Sequence, residues 1–79
     1  MSEQSMTIYD LKAGSTGRVS RVHASDSIRQ RLFDMGVVPS STVSNVRRAI
    51  GGDPIWINVN GVQIALRKEE ACAVDIEIA

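Results

Sequence analysis

His23 and Cys72 are the only imidazole and the only thiol in this chain of 79 residues. Cys–His catalysis needs the two side chains oriented on each other, and no spacing signature links this pair. Free cysteine ranks among the most buried residue types, so Cys72 is expected in the core. Structural zinc wants four Cys or His ligands, more than the chain holds. A site of His and carboxylates has one local candidate pair, His23 with Asp26. Asp26, however, falls between a strand exit and a helix entry, where aspartate serves as a cap or turn residue. A phosphate-binding Gly-rich loop ending in Lys-Ser/Thr and a Gly-x-Ser-x-Gly elbow are both missing from the sequence. No catalytic, cofactor-binding or metal-ligating residue is assigned, and the chain is expected not to be an enzyme.

The remaining chemistry is that of binding. Ile55, Ile57 and Val59 alternate with Trp56, Asn58 and Asn60, a strand period. If the aliphatics face inward, Trp56 points outward and offers a large apolar face with an N–H donor, a typical interface anchor. The competing reading packs Trp56 under the N-terminal segment or against the helix. Arg47, Arg48, Arg67 and Lys68, on neighbouring strands, form the basic counterpart, suited to an acidic patch on a partner. Each taken alone also reads as a solvated surface charge. Arg31 joins the candidates from a helix, with Arg31–Asp34 at i, i+3 expected as a weak surface contact.

These side chains need a scaffold. Residues 1–6 read as a flexible polar tail, and 7–79 as one domain. Ile8, Tyr9 and Leu11 make a short apolar cluster closed by Gly14. Residues 17–23 read as a first strand with a bulge, because Val19 and Val22 do not alternate. Ser27 is expected to open the helix by capping-box spacing with Gln30, and Ile28, Leu32 and Met35 share one face. Gly36 suits a left-handed C-terminal cap and Pro39 prevents restart. Residues 42–48 read as a strand that carries Asn45 where an aliphatic would fit better. Gly51-Gly52-Asp53-Pro54 is a turn, and Asn60-Gly61 is a type I′ hairpin signal. Val62, Ile64 and Leu66 form the return strand. Lys68 to Cys72 favours one helical turn, and Val74, Ile76 and Ile78 alternate as a last strand. Gly36, Pro39, Gly52, Asp53, Pro54 and Gly61 are assigned to architecture. About five short strands with one helix after the first close most economically into a small barrel, which removes exposed edges.

Composition narrows the function classes. Nine Lys and Arg balance nine Asp and Glu, and this lack of basic excess argues against nucleic acid. A single cysteine excludes an internal disulfide framework. The N-terminus has neither a signal peptide's apolar core nor a membrane span, so a cytoplasmic location without direct membrane insertion is expected. One residue each of Phe, Tyr and Trp leaves the core to Val, Ile and Leu.

Several stretches, in order, resemble the ferrous-iron transport protein A (FeoA) family: residues 11–14, Gly17-Arg18-Val19, residues 31–40, Gly52-Asp53-Pro54-Ile55 and residues 61–71. Departures are Ser40 where the family commonly has Gly, Asn45 where it has an aliphatic, and Trp56 where a polar residue is more common. The first two imply a locally altered loop or strand. The resemblance implies a mostly β, SH3-like barrel and a role in bacterial ferrous-iron uptake. The implied partner is the FeoB-type transporter, through its cytosolic GTP-binding domain or its membrane part. That would place the chain peripherally at the inner membrane. The alternative is a metal-sensing or DNA-linked regulatory domain, like the C-terminal SH3-like domain of iron-dependent repressors. An exposed strand edge or Trp56 leaves self-association open.

Overall fold

The structure is a computed structural model that describes residues 6–78. Its elements are β1 (Met6–Thr7), a 3-10 turn (Ile8–Asp10), β2 (Thr16–Val22), α1 (Asp26–Asp34), β3 (Thr42–Arg48), β4 (Ile55–Val59), β5 (Val62–Leu66), α2 (Lys68–Ala71) and β6 (Val74–Ile78). The described strands number six where about five were expected. The addition is β1, in which Met6, assigned to the tail from sequence, pairs with Ile76. Residues 1–5 of that expected tail lie outside the described residues.

All strand pairs are antiparallel, in the order β1-β6-β2-β3-β4-β5. β1 and β5 therefore remain as end strands of this sheet, contrary to the expectation that closure removes both edges. The sheet curls around an aliphatic core of Ile8, Leu11, Val19, Leu32, Val37, Val43, Ile55, Ile57, Val59, Leu66, Ala71, Val74 and Ile76. Period-two alternation puts the strand residues among these on the concave face, while Ile8, Leu11, Leu32, Val37 and Ala71 close the core from the turn, helices and loops. The expected bulge in β2 lies between Val19 and Arg21. A second one, between Asn45 and Arg47, was not foreseen.

α1 begins two residues earlier than expected, with Ser25 rather than Ser27 at the cap position; neither Ser25 nor Ser27 makes a side-chain capping bond. Asp26 supplies the acidic residue of the first turn instead. Leu32 is fully buried, with Ile28 and Met35 packed partly against the core, so the expected apolar face holds. Gly36 ends the helix at φ 92°. Its N–H donates to Phe33 O at 2.9 Å and the N–H of Val37 to Leu32 O at 2.9 Å. This is a Schellman motif, closed by the buried Leu32 and Val37 side chains.

Ser40 has φ 81°, so the loop keeps a left-handed backbone at a position where the sequence supplies no glycine. The β4–β5 hairpin follows its Asn60-Gly61 signal, with φ 53° and 89° and Val59 paired to Val62. Asn45 is buried; its Nδ2 donates to Leu11 O at 2.7 Å, while its Oδ1 has no partner. Its main chain also accepts from Gly14 N and donates to Ser15 O. This polar residue in an aliphatic slot thus fastens the 11–15 loop onto β3.

Candidate functional site: the outer face of β3, β4 and β5

Trp56 sits where the alternation of β4 directs it, on the face opposite Ile55, Ile57 and Val59. It is half-buried, between the two readings of the sequence. What covers it is Arg47, whose guanidinium carbon lies 4.0 Å from the ring centroid. The β3 bulge sets this up by skipping Val46, so that Arg47 rather than Val46 stands opposite Trp56. On the other side Trp56 faces Ala65 of β5, whose methyl group leaves the ring flank open. Ser44, Asn58 and Gln63 continue the face in register. The result is an aromatic plane held by a cation and surrounded by small polar residues. Stacking on an exposed ring contributes about 0.5–1 kcal/mol and restricts the arginine fork, so less side-chain entropy is lost on binding.

The other basic candidates do not join Trp56. Arg48 donates to the carbonyl oxygens of Tyr9 and, at 2.9 Å, of Leu11, and stacks at 4.6 Å on the Tyr9 ring. It is a strut between β3 and the N-terminal turn. Lys68 Nζ lies 5.4 Å from the same ring, and the main-chain N–H of Lys68 donates to Asp53 Oδ1 at 3.0 Å. Arg67 Nε reaches Asp53 at 3.4 Å from an exposed position. Asp53, in the turn whose Asp53–Pro54 peptide is cis, thus ties the β3–β4 connection to the start of α2. Gly52 belongs here for a second reason: its φ is +82°, and an added Cβ would lie 2.6 Å from the Tyr9 hydroxyl.

Arg31 does not pair with Asp34 as expected. Its Nη2 donates to Glu70 Oε2 at 2.6 Å, while Asp34 accepts from Gln30 Nε2 at 2.9 Å. Glu70 is buried and its other oxygen accepts from Arg67 N at 2.9 Å. One carboxylate therefore holds the N-terminus of α2 and the exposed flank of α1 together. Sequence reasoning missed Glu70 and Tyr9 as organisers, because both act across long chain separations.

Cys72 is exposed, a correction to its expected place in the core. Its position follows the C-terminus of α2, where Ala71 rather than Cys72 turns inward. His23 pairs with Asp75, not Asp26: Nε2 and Oδ1 are 2.9 Å apart, because the backbone of His23 is bonded to Ala73 beside β6. Among the described residues, no three His, Cys, Asp or Glu side chains group so as to hold a metal ion. No described helix is long and apolar enough to cross a membrane.

Fold and surface together define a small antiparallel β-domain with a structured core, a cross-braced base at Tyr9 and one aromatic outer face. The FeoA domain family matches residues 6–78, and the chain belongs to that family. FeoA from Chlorobium tepidum is 37% identical, with a TM-score of 0.87 over 92% of this chain and 70% of its own. FeoA from Stenotrophomonas maltophilia, solved with zinc and described as a prokaryotic SH3 domain protein, is 33% identical. Its TM-score is 0.80 over 91% of this chain and 89% of its own. The fold is thus SH3-like. A fusion of Fe(2+) transport protein A with the Fe(2+) transporter FeoB, from Porphyromonas gingivalis, is 27% identical over 73 residues. Those residues are 92% of this chain but 9% of the fusion protein. A manganese-dependent transcriptional repressor matches with a TM-score of 0.87 at 18% identity, a likeness of fold alone.

Proposed function

We propose that this chain is a cytoplasmic accessory protein of ferrous-iron uptake that docks on a FeoB-type transporter through the Trp56–Arg47 face. The observation that carries the docking face is the stacked Trp56–Arg47 pair beside Ala65. Tryptophan and arginine are the residue types that dominate interface energetics, and here they stand together, ordered before any partner arrives. The fusion relative supports the choice of partner, since its name joins the two modules in one protein. Trp56 supplies the apolar anchor; Arg47 meets a carboxylate or carbonyl on the partner. Arg67 and Lys68, exposed beyond the end of β5, add long-range attraction to an acidic surface. Arg31 and Arg48 act through the scaffold, as the Glu70 and Tyr9 contacts suggest.

A docked partner shifts a nucleotide cycle only if it prefers one state. The experiment is a titration of the chain against the purified GTP-binding domain of its cognate transporter, with GDP and with a non-hydrolysable GTP analogue. The reading expects saturable binding whose Kd differs between the two. Equal affinity in both states would leave a docking protein that does not regulate, and no binding to the GTP-binding domain or to the intact transporter would refute docking.

A further inference from the structure

We infer that β5 pairs edge to edge with β5 of a second copy of this chain, forming a two-fold dimer with one continuous outer face. The inference goes beyond the docking reading and does not depend on it. β5 is an end strand, hydrogen-bonded to β4 alone. In a hairpin with a two-residue loop, the residues flanking the loop exchange both main-chain bonds. Val59–Val62, Ile57–Ile64 and Ile55–Leu66 are then the bonded pairs. The N–H and C=O groups of Gln63 and Ala65 consequently point away from β4. Among the described residues, no other hydrogen bond engages the main chain of either one.

Edges are ordinarily protected by charge, proline, a bulge or a cover. Residues 62–66, Val-Gln-Ile-Ala-Leu, hold no charge, no proline and no glycine, and β5 pairs without irregularity. Val62 is 59% exposed, and Gln63 and Ala65 are exposed as well. A second copy is the occupant that the sequence fits. Antiparallel pairing centred on Ile64 places Gln63 opposite the second copy's Ala65 and the converse, each an outward-bonding residue. It also sets the exposed Val62 at the second copy's Leu66 position, whose own side chain is buried in its core, so no charge meets it there. Arg67 and Lys68 at one end meet the uncharged Asn60-Gly61 turn, so no like charges oppose. The two Trp56 rings then share one face, about 16 Å apart from three strand spacings of about 4.8 Å and a two-residue offset. A partner offering two sites would be held bivalently.

The test is sedimentation equilibrium from micromolar to millimolar concentration, with amide exchange read residue by residue. The dimer predicts concentration-dependent protection of the Gln63 and Ala65 amides. Two double variants separate pairing from folding, because positions 63 and 65 face each other only across the two-fold. Gln63→Lys with Ala65→Lys sets like charges opposite and should weaken association about tenfold; Gln63→Glu with Ala65→Lys should tighten it by a similar factor. A strictly monomeric chain at millimolar concentration overturns the inference. So does association that protects other amides, responds equally to both double variants, or leaves residues 63 and 65 protected only when a transporter domain is added.

Discussion

Ser40 shows how a single side chain can be at odds with its backbone. At φ 81° a Cβ-bearing residue sits in a region that L-residues rarely occupy, at a cost of about 1–2 kcal/mol. Glycine removes that strain but adds freedom to the unfolded chain. The expected balance for Ser40→Gly is a gain of about 0.5–1 kcal/mol, read as a higher midpoint in urea at unchanged slope. Trp56 behaves differently, since it lies outside the core. Trp56→Ala should cost about 1 kcal/mol of stability, from partial burial and the Arg47 stack, while weakening docking at least tenfold. A large fall in melting temperature with unaltered partner affinity would make Trp56 a packing residue. Its outward direction was legible from the alternation of residues 55–59. Its pairing with Ala65 follows from the Asn60-Gly61 turn by counting outward. The cover by Arg47 was not legible, because it depends on a bulge at Val46 that no residue in β3 announces.

At the level of elements, long-range polar contacts rather than propensities hold the pieces in place. Glu70 joins α1 to α2 through Arg31 Nη2 and Arg67 N. Glu70→Ala leaves a helix N-terminus and a guanidinium without their acceptor, and should destabilise by about 2 kcal/mol; Arg31→Ala, from an exposed side, should cost less than half of that. Chemical denaturation of both variants checks the ratio. The two turn glycines differ in a similar way. Gly36 and Gly52 both have positive φ, but a Cβ on Gly36 meets its nearest atoms at ordinary contact distance, 3.7 Å from Val59 Cγ1. A Cβ on Gly52 collides with the hydroxyl of Tyr9, whose ring is braced by Arg48 and Lys68. Gly36→Ala should therefore cost about 1 kcal/mol and Gly52→Ala clearly more. Equal losses would mean that Tyr9 swings aside freely. Helix, hairpin and most strand limits were readable from local signals. The Arg31 partner was misplaced because Glu70 lies on a segment distant in sequence, whereas the cap at Ser25 and the exposure of Cys72 turn on one- or two-residue shifts at helix ends.

For the whole molecule, the sequence's aliphatic pattern was enough for the fold class, because the strands, bulges in β2 and β3 apart, alternate against a single core. The sixth strand escaped because two residues carry no periodicity. Closure was over-read: the barrel argument treats edges as eliminated, whereas β5 keeps one. The overall charge is zero, and the proposed docking face carries Arg47 among the uncharged Ser44, Asn58, Gln63 and Ala65. Docking strength should thus come chiefly from the Trp56–Arg47 centre, with salt altering the on-rate more than the off-rate. The most direct measurement is the chemical-shift footprint left on the isotope-labelled chain by the cytosolic domain of its transporter. The account predicts the largest changes at the Trp56 indole N–H, Arg47 and Ala65, fading towards Tyr9. A footprint centred on α1, or on His23 and Asp75, with the Trp56 indole unmoved, would contradict it.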